Sequence, residues 1–108
     1  MKLIQCILRP EKLHDVVAKL VTITTGLTVS EVRGHGRQRG HSAVYRGTEY
    51  HLTLLPKIKI EIVTDDNKVD EVVKTLIETA RTGEIGDGRI FVMDVIEAYH
   101  VRTGFMEW

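Results

Sequence analysis

The order of apolar periods predicts an α+β domain, a βαββαβ sandwich with one sheet, both helices on a single face, and a long protruding loop between strands 2 and 3. Three observations carry that expectation. Residues 13–20 and 69–80 repeat apolar side chains at helical spacing. Residues 57–63 alternate apolar and charged with a period of two. Between them, from Gly34 to Pro56, roughly twenty residues keep neither period, which is unusual inside a compact domain and points to a functional loop.

Taken in order, residues 1–8 are an apolar run of strand length whose only polar members are Lys2 and Gln5, the pattern of a central strand covered on both faces. Pro10 breaks the run and suits the first turn of a helix, where its missing N–H is no loss. Leu13, Val16, Val17 and Leu20 then fall at i, i+3, i+4 and i+7 on one helical face. The β-branched run Thr22-Ile23-Thr24-Thr25 and Gly26 stop that helix, and residues 27–33 resume as a strand. Beyond the loop, Ile58, Ile60 and Ile62 alternate with Lys57, Lys59 and Glu61. Asp65, Asp66 and Asn67 supply an N-cap and negative charge to a second helix. Its stripe is Val69, Val72, Val73, Leu76, Ile77 and Ala80, closed by Gly83. Residues 89–95 form the last strand, which 96–102 continue or accompany as a short one. Two similar halves in this order suggest a ferredoxin-like sheet. One sheet face then has no helical cover, and further copies of the same chain are expected to supply it.

Composition narrows the function classes. A chain of 108 residues makes one domain with room for a core. Fifteen Lys and Arg balance fifteen Asp and Glu, so no global field draws the protein to nucleic acid or to a lipid surface. The lone cysteine, Cys6, sits in an apolar run and reads as a small buried hydrophobe. It can form no intrachain disulfide, which fits a reducing cytoplasm. No apolar stretch reaches the length of a membrane span. The first residues lack the apolar length and the small-residue cleavage site of a signal peptide.

Two irregular stretches hold the residues capable of chemistry. In the long loop Arg37, Arg39 and Arg46 can seek carboxylates or phosphates, while Tyr45, Tyr50 and residues 52–55 offer apolar surface to a partner. The second stretch is Thr82-Gly83-Glu84-Ile85-Gly86-Asp87-Gly88-Arg89, whose glycines let backbone N–H groups approach an anion and whose arginine adds a charged donor. These glycines follow a helix and open a strand, the reverse of the Rossmann and P-loop order, so a plain turn and a phosphate nest both stay open on pattern alone. His35, His41 and His51 are six and ten residues apart, which matches no metal-ligand spacing. Ser42, Thr48 and Tyr50 have no partnered base. His100 and Arg102 fall on the same side of an extended segment and, taken alone, read as a solvated edge.

Together the two stretches resemble a known family. Tyr45-Arg46-Gly47-Thr48-Glu49-Tyr50 looks like the T-loop signature of the PII nitrogen-regulatory signal transduction proteins, and residues 82–92 resemble their second signature. Gly36-Arg37-Gln38-Arg39-Gly40-His41, Leu55-Pro56-Lys57-Ile58-Lys59-Ile60-Glu61 and Arg102-Thr103-Gly104 match in the same order, so the likeness spans nearly the whole chain.

The resemblance implies a single domain over residues 1–108, with a T-loop at about 36–55, a glycine-rich phosphate loop at 82–89 and a short C-terminal segment at 96–108. It implies a homotrimer with ATP or ADP in clefts between subunits. Gly86, Asp87, Gly88 and Arg89 would cradle the phosphates, with Gly36, Arg37 and Gln38 at the loop base and His100 and Arg102 from the adjacent subunit; Thr28 and Val63 would line the adenine pocket. With MgATP, 2-oxoglutarate would bind through Lys57 and through a Mg²⁺ ion held by Gln38 and the phosphates, an oxygen set that Mg²⁺ favours. Tyr50 and Thr48 are the candidate modification positions. The implied role is non-enzymatic regulation in the cytoplasm through partners such as an ammonium transporter, a nitrogen-metabolic enzyme or a regulatory kinase, with membrane contact only through the transporter. His100 stands where many members carry arginine and His35 where phenylalanine is usual, and the tail after Gly104 is short. The alternatives are a small nucleotide-hydrolysing or phosphotransfer enzyme using the same cleft, against which the lack of a positioned base counts, and a divergent binding module without a nitrogen role.

Overall fold

The computed structural model describes residues 1–35, 43–45, 48–50 and 54–106, with the backbone alone at 43–45 and 48–50. Its elements run β1 (Lys2–Leu8), α1 (Leu13–Leu20), β2 (Thr28–Gly34), β3 (Ala43–Tyr45), β4 (Thr48–Tyr50), β5 (Leu55–Thr64), α2 (Val69–Ala80) and β6 (Gly88–Asp94). Four strands make one antiparallel sheet in the order β2-β5-β1-β6. This is the expected α+β, ferredoxin-like arrangement.

Alternation fixes which residues face the helices. Ile4, Cys6 and Leu8 of β1 sit beside Ile62, Ile60 and Ile58 of β5, and all six are buried. Against them lie Val16 and Leu20 of α1 and Val72, Leu76 and Ala80 of α2, the faces that the helical stripes predicted. Burying each large aliphatic side chain contributes about 1.5–3 kcal/mol. Leu3, Gln5, Ile7, Lys59, Glu61 and Val63 point to the opposite face and are only partly covered. β1 is central, as expected, but a single chain covers it on one side alone.

Several expectations shift. β5 begins earlier than the isoleucine alternation suggested and includes Pro56. That position pairs with Arg33 of β2 but lies beyond the end of β1, so the missing N–H leaves no gap in the central ladder. Asp65, the expected cap, makes no side-chain cap bond; a 3₁₀ turn at Asp66–Lys68 leads into α2 instead. Asp70 and Glu71 carry the negative charge of that helix's first turn. The loop expected to lack strands contains β3 and β4, paired from Ala43↔Tyr50 to Tyr45↔Thr48 as a separate two-stranded sheet. Strands of three residues are too short to show a period. The segment expected to stay extended through Arg102 turns instead at residues 101–103, closed by Gly104 N–H donating to His100 O at 2.8 Å and by an antiparallel Tyr99–Met106 bridge. Gly104, at φ +72, permits that reversal. Among the described residues, no helix is long and apolar enough to cross a membrane.

At Gly88 β6 passes so close to β1 that a Cβ would lie 1.7 Å from Ile7 O, at a backbone φ of +118. Gly88→Ala should therefore destabilise the fold by more than about 2 kcal/mol, read as a lower urea midpoint; a midpoint within error of the parent would show that the strands can part without cost.

Candidate functional site

The glycine-rich stretch after α2 divides into two halves by where its amides point. In the first half, N–H groups of Thr82 and Gly83 donate to Asp87 Oδ2 at 2.8 and 2.9 Å, and Glu84 N–H donates to Thr82 Oγ1 at 3.1 Å. The Thr82 hydroxyl donates to the other Asp87 oxygen. In the second half, the amides of Ile85 and Gly86 meet no acceptor among the described residues, and these two residues form a tight turn that ends on Asp87. Two consecutive uncommitted N–H groups, one on a glycine at φ +99, are donors of the kind that backbone anion nests use.

Two cations hold the carbonyls of that half. Arg9 Nη2 donates to Ile85 O at 3.0 Å and Lys57 Nζ donates to Gly86 O at 2.9 Å. In a trans peptide unit C=O and the following N–H point in opposite directions. Tying these carbonyls to the protein therefore turns the amides of Gly86 and Asp87 the other way. Arg9 also pairs with Asp87, Nε to Oδ1 at 3.1 Å.

The charges respond to these contacts. The Thr82 hydroxyl bond holds the Asp87 carboxyl well below the usual carboxylate range, helped by the Thr82 and Gly83 amides and by Arg9, and opposed by burial. Burial lowers the pKa of Lys57, and the nearby Arg9 lowers it further. Cys6, 3% exposed, has its thiol pushed up to about 11 by burial, which matches the inert core residue expected.

Beside the loop is a hollow of about 470 Å³ lined by Ile7, Gly34, His35, Leu55, Lys57, Ile85, Gly86, Gly88, Arg89 and Phe91. It collects Lys57, Gly86, Gly88 and Arg89 from the expected set. Asp87 does not line it; it lines another hollow, of about 370 Å³, with Ile7, Leu76, Ala80, Arg81, Gly88 and Arg89. Thr28 and Val63 meet elsewhere, in a hollow with Leu3, Gly26, Leu27 and Glu61. This hollow and the one lined by Lys57 lie on the helix-free side but at opposite ends of the sheet, Lys57 and Val63 being roughly 20 Å apart along β5 at strand rise. One chain does not bring the two groups together. His100 and Arg102 are exposed on the C-terminal turn and line neither hollow. Gly36, Arg37 and Gln38 lie outside the described residues, as do His41, His51 and the side chains of Thr48 and Tyr50. Among the described residues no three His, Cys, Asp or Glu side chains gather as a metal would require. Arg9 went unnoticed in the sequence: it lies 78 positions from Asp87, and no local pattern links them.

Comparison with known proteins now decides the family. The family model described as Nitrogen regulatory protein P-II matches residues 1–105. The chain belongs to the P-II family. A P-II protein of Pasteurella multocida (strain Pm70) is 52% identical over 105 residues, covering 96% of this chain and 94% of that protein. Nitrogen regulatory protein P-II 1 of Escherichia coli (strain K12) and P-II of Klebsiella oxytoca are each 54% identical over the same shares. The resemblance read from the two signatures is thereby borne out. These P-II relatives are named as regulatory proteins, not as enzymes.

Because the folded pKa of Asp87 is depressed, its stabilising contribution is full above the unfolded value of about 3.9 and is lost as pH falls toward the folded one. Asp87→Asn should cost about 1–3 kcal/mol at pH 7, a deficit that narrows below about pH 4. Urea midpoints across that range check this; a deficit independent of pH would mean that the ionised carboxylate is not the stabilising form.

Proposed function

We propose that this protein is a nitrogen-regulatory signal protein that senses adenine nucleotides at the junctions of a homotrimer and controls its targets through the loop at about 36–55. The observation that carries the nucleotide reading is the pair of uncommitted amides at Ile85 and Gly86, which line the same hollow as Arg89. A phosphate chain needs several backbone donors and cations at once, and this loop offers both. The residues present therefore fit the phosphates of ATP or ADP, with Gly86, Asp87 and Gly88 as backbone contacts and Arg89 as charged donor. Arg37 and Gln38 are proposed to approach from the loop base.

The distance between the two hollows supports the junction. A nucleotide using Thr28 and Val63 for its base and Gly86 to Arg89 for its phosphates takes one set from each of two chains. His100 and Arg102 belong to the same scheme as contacts from the neighbouring copy. Apolar exposure favours assembly as well: Phe91 and Met93 are 43% and 40% exposed on the helix-free face, and Ile96, Val101, Phe105 and Met106 are exposed beyond β6.

Lys57, 9% exposed and lining the same hollow, is proposed to pair with the distal carboxylate of 2-oxoglutarate. Bound with ATP, Mg²⁺ would link phosphate and 2-oxo acid oxygens, and Gln38 would supply an oxygen ligand. Tyr50 and Thr48 are proposed as modification positions on the contact loop. An ammonium transporter, a nitrogen-metabolic enzyme or a regulatory kinase, met in the cytoplasm, is the proposed class of target.

Calorimetry and light scattering test this together. The protein should elute with the mass of three chains, and Arg89→Ala should weaken ATP and ADP alike by about tenfold or more. A monomer indifferent to both nucleotides would overturn the proposal. Gln38→Ala should spare ATP but abolish 2-oxoglutarate binding in the presence of Mg²⁺; retained binding would remove Gln38 from the metal site.

A further inference from the structure

We propose that Arg9 is a positioning residue for the phosphate loop, presetting its free amides through a fork of hydrogen bonds rather than by touching the ligand. The inference rests on the nucleotide reading above and adds to it a residue that carries no motif of its own. Arg9 follows β1 directly, and Pro10 restricts it to the extended conformation it adopts, φ −68 and ψ 138. Its carbonyl accepts from Lys12 N–H at 3.0 Å, so its backbone is held on both sides. The side chain is 12% exposed. From that anchor the guanidinium reaches two points of the loop at once, Asp87 Oδ1 and Ile85 O.

Each bond has a separate consequence. The bond to Ile85 O turns the Gly86 amide outward. The bond to Asp87 keeps the carboxylate against the amides of Thr82 and Gly83, so the acid stays out of the hollow where an anion would be repelled. Lys57 performs the matching task at Gly86 O, but as a single ammonium that a ligand carboxylate could draw away. Arg9 is then the brace that stays while Lys57 changes partner. The charges that act on Lys57 are Arg9, Glu11 and Asp87. Lys57 supplies positive charge whether or not Arg9 is present, so the contribution of Arg9 lies in its planar, two-pronged geometry.

The test uses the full-length protein as Arg9→Gln and Arg9→Lys, read by amide hydrogen exchange without ligand and by calorimetry with ATP. Arg9→Gln should speed exchange within 82–88 while leaving β1 and β5 protected, and should weaken ATP by about tenfold, as loss of supporting contacts to a binding residue commonly does. Arg9→Lys keeps the charge but not the fork and should recover little of that affinity. In combination with Asp87→Asn, Arg9→Gln should cost less than the sum of the two single changes. ATP binding fully restored by lysine would overturn positioning in favour of simple charge, and faster exchange spread over the whole sheet would reduce Arg9 to a general stabiliser. Absence of ATP binding by the parent protein would overturn the nucleotide reading, whereas the exchange measurement judges Arg9 separately: unchanged protection of 82–88 in Arg9→Gln overturns this inference whatever the parent binds.

Discussion

The contact between Arg9 and Asp87 is the constraint on which the site depends. It joins the end of the first strand to the turn before the last one, and those strands are neighbours in the sheet. Strand pairing alone brings the two segments close, but it does not fix the turn. A glycine-rich loop has many backbone conformations of similar energy. The carboxylate, bonded by Thr82, Gly83 and Arg9, selects one of them. The acid most prominent in the loop thus acts on the loop itself, and the positive charge near it lies on two different strand ends.

The sheet supplies the second half of the design. Its helix side is closed by five aliphatic residues and Cys6 on β1 and β5 and by both helices. The other side combines Leu3, Ile7, Val63, Phe91 and Met93 with the Lys59–Glu61 ion pair at 3.8 Å. Such a face is too apolar to be indifferent to contact and too charged to form a core of its own. That mixture suits an interface with a defined register, because an opposed face must satisfy the charges as well as cover the carbon.

The fold was legible because its signals were periodic. Ile58, Ile60 and Ile62 announced β5, and the stripes from Leu13 to Leu20 and from Val69 to Ala80 gave both helices. The glycine-rich loop was visible as a departure from any period, and the family likeness supplied the expectation of phosphate binding. What the pattern could not give was the pairing across distance. Arg9 looks like a strand-end cation, and Asp87 like one more carboxylate in a polar turn. The separation of Thr28 and Val63 from Gly86 and Arg89 was equally hidden, since it follows from β5 running the length of the sheet. The C-terminal turn was misread as extended because a single glycine, Gly104, reverses the chain there without any clustering of turn residues.

The exposed apolar groups beyond β6 carry a thermodynamic consequence. If Ile96, Val101, Phe105 and Met106 find their cover on neighbouring copies, part of the folding free energy belongs to association and obeys mass action. Dilution then lowers the melting temperature of the protein, and its resistance to heat becomes a property of how much of it is present.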